Sequence, residues 1–106
     1  MAATIITNDT FEAFTTQGPA IVEFWAPWCT YCRRLTGIID KLSTAYEGKI
    51  AIGQVNIDDH PSLAERFTID TIPTLLLFQN GKEGKPIVAP GSKADIEAWL
   101  AEQSAI

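Results

Sequence analysis

The chain is predicted to be an α/β protein, a central mixed β-sheet flanked by helices on both faces. Three observations predict it. Apolar runs of strand length alternate with segments of helical periodicity as far as Ile57. Further on, Leu75-Leu76-Leu77-Phe78 leads into Asn80-Gly81, a two-residue hairpin signal, so the last strands are expected to run antiparallel. Finally, Cys29-Thr30-Tyr31-Cys32 lies where a strand hands over to a helix, and a C-x-x-C beside a βαβ pattern reads as a redox dithiol. Helical crossovers cover both faces of a sheet, and the hairpin supplies its antiparallel part.

In chain order, Thr4-Ile5-Ile6 reads as a short first strand. Asp9-Thr10-Phe11-Glu12 has capping-box spacing, with Asp9 accepting from the first turn and Glu12 reaching back. Phe11 and Phe14 then share one face of a short helix, which Gly18-Pro19 ends. Ala20 to Trp25 is a strand with one acid, Glu23, inside an apolar run. Leu35, Ile38, Ile39, Leu42 and Tyr46 recur every three or four residues and place a second helix from about Cys32 to Tyr46, closed by Gly48. Ile50 to Ile57 is the next strand.

Asp58-Asp59-His60-Pro61 caps a third helix, with Pro61 at its first position and Leu63, Ala64 and Phe67 facing inward. The two acids are read as a cap and not as a cation site, and His60 as part of a solvated helix start. Thr68 to Thr71 connects to Ile72-Pro73-Thr74 and to Leu75–Phe78, a strand buried on both sides. Lys82 to Val88 returns as an edge strand, because Gly84 and Pro86 suit no central one. Ser92-Lys93-Ala94-Asp95 opens the last helix, whose Ile96, Trp99 and Leu100 face inward.

With 106 residues and no repeat or linker, residues 1–106 are expected to form a single domain. An apolar fraction of 46% against 20% charged residues is globular composition rather than disorder. A net charge of −5, with the acids scattered, argues against nucleic acid as a partner. No run approaches membrane-spanning length, and Met1-Ala2-Ala3-Thr4 has neither a basic nor an apolar leader region. The expected location is therefore the cytoplasm, where a structural disulfide would be kept reduced. Two cysteines three apart are then a working pair.

A dithiol that exchanges disulfides needs one exposed thiolate to attack and one protected sulfur to release the product. Cys29, at the positive end of the second helix, suits attack; Cys32, one turn in, suits resolution. Arg33 adds a positive charge nearby. The competing reading, zinc, needs four ligands, and the chain has two cysteines and the distant His60, so a structural site would have to be shared between two chains. No metal is expected. Strand alternation alone turns Glu23 equally well to water or inward, and Ile72-Pro73-Thr74 alone is an extended segment before a strand.

Trp25-Ala26-Pro27-Trp28-Cys29-x-x-Cys32 resembles the active-site segment of thioredoxins, and the order of elements resembles the thioredoxin fold over essentially the whole chain. The resemblance implies a thiol–disulfide oxidoreductase that reduces protein disulfides through a Cys29 mixed disulfide resolved by Cys32. It implies no cofactor beyond the redox-active Cys29–Cys32 pair, a monomer, protein disulfides as substrates and a thioredoxin reductase as electron donor. Glu23 falls where the family has a buried aspartate, which implies a general base for the second thiol's proton. The family's lysine near that acid corresponds to Gln54, so Glu23 is expected to titrate higher than its counterpart. Ile72-Pro73 resembles the cis-proline loop, whose backbone before the proline receives an extended substrate, and Trp28 resembles a substrate-facing platform. Trp25 is read as framework and Trp99 as core.

Three departures stand out. Thr30-Tyr31 replaces the usual Gly-Pro between the cysteines, which is expected to make the pair less reducing. Gly37 stands where a helix-kinking proline is common, so any bend there has a different cause. Ala89, in Val88-Ala89-Pro90-Gly91, stands where the family has a glycine in a loop bordering the substrate groove. Tyr31 before the second cysteine is shared with glutaredoxins. A glutaredoxin-like or more oxidising exchanger, and a non-enzymatic binding module using Trp28 and Pro73, therefore remain alternatives.

Overall fold

A computed structural model describes residues 3–106. The expectation about a leader rests in part on Met1 and Ala2, which lie outside the described residues. The strands are β1 (Thr4–Ile5), β2 (Ala20–Trp25), β3 (Ala51–Asn56), β4 (Thr74–Gln79), β5 (Lys82–Glu83) and β6 (Ile87–Val88). They join one sheet in the order β1-β3-β2-β4-β5, with β6 also on β4. The pairs β1·β3 and β2·β3 are parallel; β2·β4, β4·β5 and β4·β6 are antiparallel. The helices are α1 (Phe11–Thr16), α2 (Thr30–Ala45), α3 (Pro61–Arg66) and α4 (Lys93–Glu102). This is the predicted mixed α/β sheet.

Alternation sorts the strands' side chains into two cores. On one face Ile21, Ile52, Leu75 and Leu77 pack against Leu35, Ile39 and Leu42 of α2 and Ile96, Trp99 and Leu100 of α4. On the other, Val22, Phe24, Val55, Leu76 and Phe78 meet Phe11 and Phe14 of α1 and Leu63 of α3. β2 and β4 feed both cores, which is why Leu75–Phe78 is apolar throughout, and Ala20–Phe24 apolar apart from Glu23, instead of alternating.

Several local expectations are corrected. Asp9 caps nothing: Thr10 is the residue before α1, its side chain makes no cap bond to the helix, and its hydroxyl accepts from Thr7 N–H (2.9 Å) in a turn. Glu12 instead takes a bond from Arg66 (2.7 Å). α3 starts at Pro61 as expected, but no side chain caps it. The returning strand is two short pieces, because Pro86 has no N–H to donate and α4 claims the stretch between them. There Gln103 Oε1 accepts from Lys85 N–H (2.8 Å), and Trp99 Nε1 donates to Lys85 O (2.8 Å). Asn80 and Gly81 have φ of +55° and +77°, the two positive values that the hairpin turn requires. Ser92 caps α4 as expected, accepting from Asp95 N–H (3.0 Å).

Candidate active site

α2 begins two residues earlier than its periodicity predicts, and this puts the first cysteine directly at the helix start. Cys29 is itself the N-cap, with extended backbone (φ −84°, ψ 109°), and its sulfur accepts from Cys32 N–H at 3.2 Å. One of the free amides of the helix start is therefore aimed at this sulfur. Cys29 is half-buried at the surface, whereas Cys32 is only 2% exposed. Cys32 opens the stripe that continues through Leu35, Ile39 and Leu42 onto the sheet. The two sulfurs are bonded to each other, with Cα atoms 5.2 Å apart.

The sheet face that α2 covers carries Glu23. Ile21 lies two residues before it, and its cross-strand neighbours are Gln54 on β3 and Leu75 on β4. The side chain is fully buried, so the reading that turns it to water is set aside. Gln54 Nε2 donates to Oε1 (2.8 Å), while Oε2 has no hydrogen-bond partner among the described residues. Burial pushes this carboxyl up to about 7, with the Gln54 amide pulling weakly the other way. A neutral amide supplies one hydrogen bond and no charge to offset the desolvation.

The Ile72–Pro73 peptide is cis, at the start of β4, and places Ile72 O 4.0 Å from the Cys29 sulfur. Trp28 is 65% exposed, and its Nε1 donates to both carboxylate oxygens of Asp58 (3.2 and 3.1 Å). Asp58 is thus committed to the tryptophan and does not cap α3, a link that no local pattern announces across thirty residues. His60 is also not simply solvated: its Nδ1 is buried without a hydrogen-bond partner among the described residues, beside a cavity of about 160 Å³ that Trp25, Gln54 and Asn56 also line. On the other side, the Tyr31 hydroxyl donates to the carbonyls of Ala89 (3.2 Å) and Pro90 (3.1 Å). Sequence reasoning picked out Tyr31 and Ala89 separately, and missed that they meet.

The fold therefore brings Cys29, Cys32, Trp28, Ile72 and Pro73 to one end of the sheet, with Glu23 beneath on the face that α2 covers. Among the described residues, no group of three or more His, Cys, Asp or Glu side chains is arranged to hold a metal. The arrangement offers a half-exposed sulfur, a buried one bonded to it and an internal acid.

Comparison with known proteins agrees. The sequence model of the thioredoxin family matches residues 2–102. Thioredoxin 1 of Nostoc sp. is 37% identical over 101 residues, covering 93% of this chain and 94% of the relative. Thioredoxin of Porphyra purpurea is 32% identical over 102 residues, covering 94% and 95%. Chloroplastic thioredoxin M5 of Oryza sativa is 41% identical over 80 residues, 76% of this chain but 46% of the relative. Nothing in these matches favours a glutaredoxin-like exchanger or a binding module. With its redox chemistry carried by its own cysteine pair and no added cofactor, the chain belongs to the thioredoxin family and is a thiol–disulfide oxidoreductase acting on protein disulfides.

Proposed function

We propose that Cys29 is the attacking sulfur, Cys32 the resolving sulfur and Glu23 the base between them, within one domain spanning residues 1–106. The observation that carries this is the asymmetry of the pair: Cys29 caps a helix at the surface and Cys32 is buried one turn in. In the reduced protein the Cys29 thiolate attacks a client disulfide. The client S–S bond breaks, a mixed disulfide forms and one client thiolate leaves. Cys32 gives its proton to Glu23 and attacks the Cys29 sulfur, which releases the second client thiolate and closes the Cys29–Cys32 disulfide. Two electrons have passed to the client, and an electron donor must return them.

Client binding falls to the surface around Cys29. The exposed Trp28 face supplies apolar contact, and Ile72, beside the cis Pro73, offers main-chain groups at the height of the sulfur to an extended segment. We assign the electron supply to a thioredoxin reductase, the protein to a monomer and its location to the cytoplasm. The family supports the reductase. No helix is long and apolar enough to cross a membrane among the described residues, and relatives named for chloroplasts widen the choice of compartment.

Trapping tests the order of attack. Reduced Cys32→Ser is expected to accumulate a mixed disulfide with a protein client such as insulin, whereas Cys29→Ser accumulates none. The reverse pattern, identified by mass of the linked peptides, rejects the assignment.

A further inference from the structure

Tyr31 and Ala89, 58 positions apart, are joined by a hydrogen bond in the fold. Ala89 has φ +47°, a left-handed backbone in which glycine is at ease and a side chain is not. Something must hold it there. Its N–H donates to Pro73 O (2.9 Å), and its carbonyl, with that of Pro90, accepts from the Tyr31 hydroxyl. These bonds close a circuit from the first turn of α2 through residues 89–90 to the Ile72–Pro73 turn, with the Cys29 sulfur beside it. In the sheet, β3 and β6 lie on opposite sides of the β2·β4 pair. Asp58, which follows β3, anchors Trp28 on one side of Cys29; Ala89, which follows β6, anchors Tyr31 on the other.

We propose that Tyr31 is a positioning residue whose hydroxyl holds Ala89 in its left-handed conformation, so that residues 89–91 stand as one wall of the client groove and favour extended protein disulfides over small ones. The proposal rests on the reading that clients lie along Ile72–Pro73 beside Cys29. A small disulfide needs only the Cys29 sulfur and is indifferent to the wall. Glycine at position 89 would adopt the same backbone unaided and make the tether dispensable.

The experiment is a double-variant cycle of Tyr31→Phe and Ala89→Gly. Pre-reduced protein is oxidised in single-turnover reactions by insulin and, separately, by bis(2-hydroxyethyl) disulfide. Tyr31→Phe is expected to lower the insulin rate constant about fivefold to tenfold, roughly what one hydrogen bond contributes. The small disulfide should change by less than about twofold, a ratio that general destabilisation would not produce. Ala89→Gly in the Tyr31→Phe background should restore the insulin rate, and amide exchange at position 89 should speed up in Tyr31→Phe alone. An unchanged insulin rate in Tyr31→Phe, an equal loss with both disulfides, or a double variant slower than either single one each overturns the tether. Failure of the wild type to react with insulin while it reacts with the small disulfide overturns the client-binding reading beneath it.

Discussion

Burial lifts the Glu23 carboxyl from an ordinary 4.5 to about 7 against the pull of the Gln54 amide, so near neutral pH it is poised between acid and base. The same shift sets a sign for stability. The folded chain binds this proton more tightly than the unfolded chain, so Glu23 supports the fold fully below about pH 4.5. That support is lost as pH rises through about 7, and above it the buried carboxylate is a constant penalty on the order of 3 kcal/mol. Glu23→Gln stays neutral at every pH and keeps an amide partner at Gln54. Its melting temperature is expected to exceed that of the wild type by on the order of 10 °C at pH 8, with the difference vanishing towards pH 4. The kinetic expectation has the opposite sign. Resolution of a mixed disulfide should rise through about pH 7 and level off in the wild type. In Glu23→Gln it should be about 100-fold slower near pH 7 and show no inflection there, rising steadily with pH because the Cys32 proton must go to solvent. Coincident pH–rate profiles would reject the base role, and a constant difference in melting temperature would reject the buried titration. Together the two measurements separate a group retained for stability from one retained for chemistry at a cost in stability.

At the scale of elements, α2 carries Cys32, is capped by Cys29 and contains an avoidable weakness. Gly37 lies within it, with ordinary helical backbone and open space where a Cβ would stand. Gly37→Ala should therefore stabilise the protein by about 0.5–1 kcal/mol, read as a higher urea midpoint at constant slope. A loss of stability would mean that α2 depends on flexibility at this point. Most elements could be read from the sequence because each depends on its own residues: the stripe Leu35, Ile39 and Leu42 gives α2, Asn80-Gly81 gives the hairpin and Ser92 gives the start of α4. The cysteine pair was legible for the same reason, whereas strand alternation left Glu23 open between water and the interior, and only the family resemblance pointed inward. The errors lie where partners are distant in sequence. Asp58 looks like a cap until Trp28 claims it; Asp9 is the local exception, passed over because the Thr7–Thr10 turn makes Thr10 the residue before α1. The returning strand looks continuous until Trp99 of α4 and Gln103 just after it take its middle. Tyr31 with Ala89 belongs with these, since no periodicity encodes which loop a phenol will reach.

The whole molecule is two cores sharing one sheet, and the two differ in make-up. The α1–α3 side is aromatic: Phe78 meets Phe11 edge-on at 5.5 Å and Phe67 at 5.4 Å, while Phe67 also packs on Phe11 at 5.4 Å. Phe78 is buried near the far end of β4, five residues beyond Pro73, so about 16 Å of extended strand separates the two. Removing its ring leaves a cavity on the face away from α2 and deprives two other rings of their edge contacts. Phe78→Ala should cost about 3–5 kcal/mol, a large part of what a domain of this size holds. Yet β4 also carries Leu75 and Leu77 into the α2–α4 core, so neither core can be lost alone. Unfolding is therefore expected to stay a single transition, coincident by far- and near-ultraviolet circular dichroism and shifted to lower urea. In the molecules that remain folded, alkylation of reduced Cys29 should proceed within about twofold of the wild-type rate, because Phe78 lies near the opposite end of β4 from Pro73 and Cys29 is held at the start of α2. Two separated transitions would show that the cores fold independently. A Cys29 rate changed more than about fivefold in folded protein would show that the aromatic core helps to position the site.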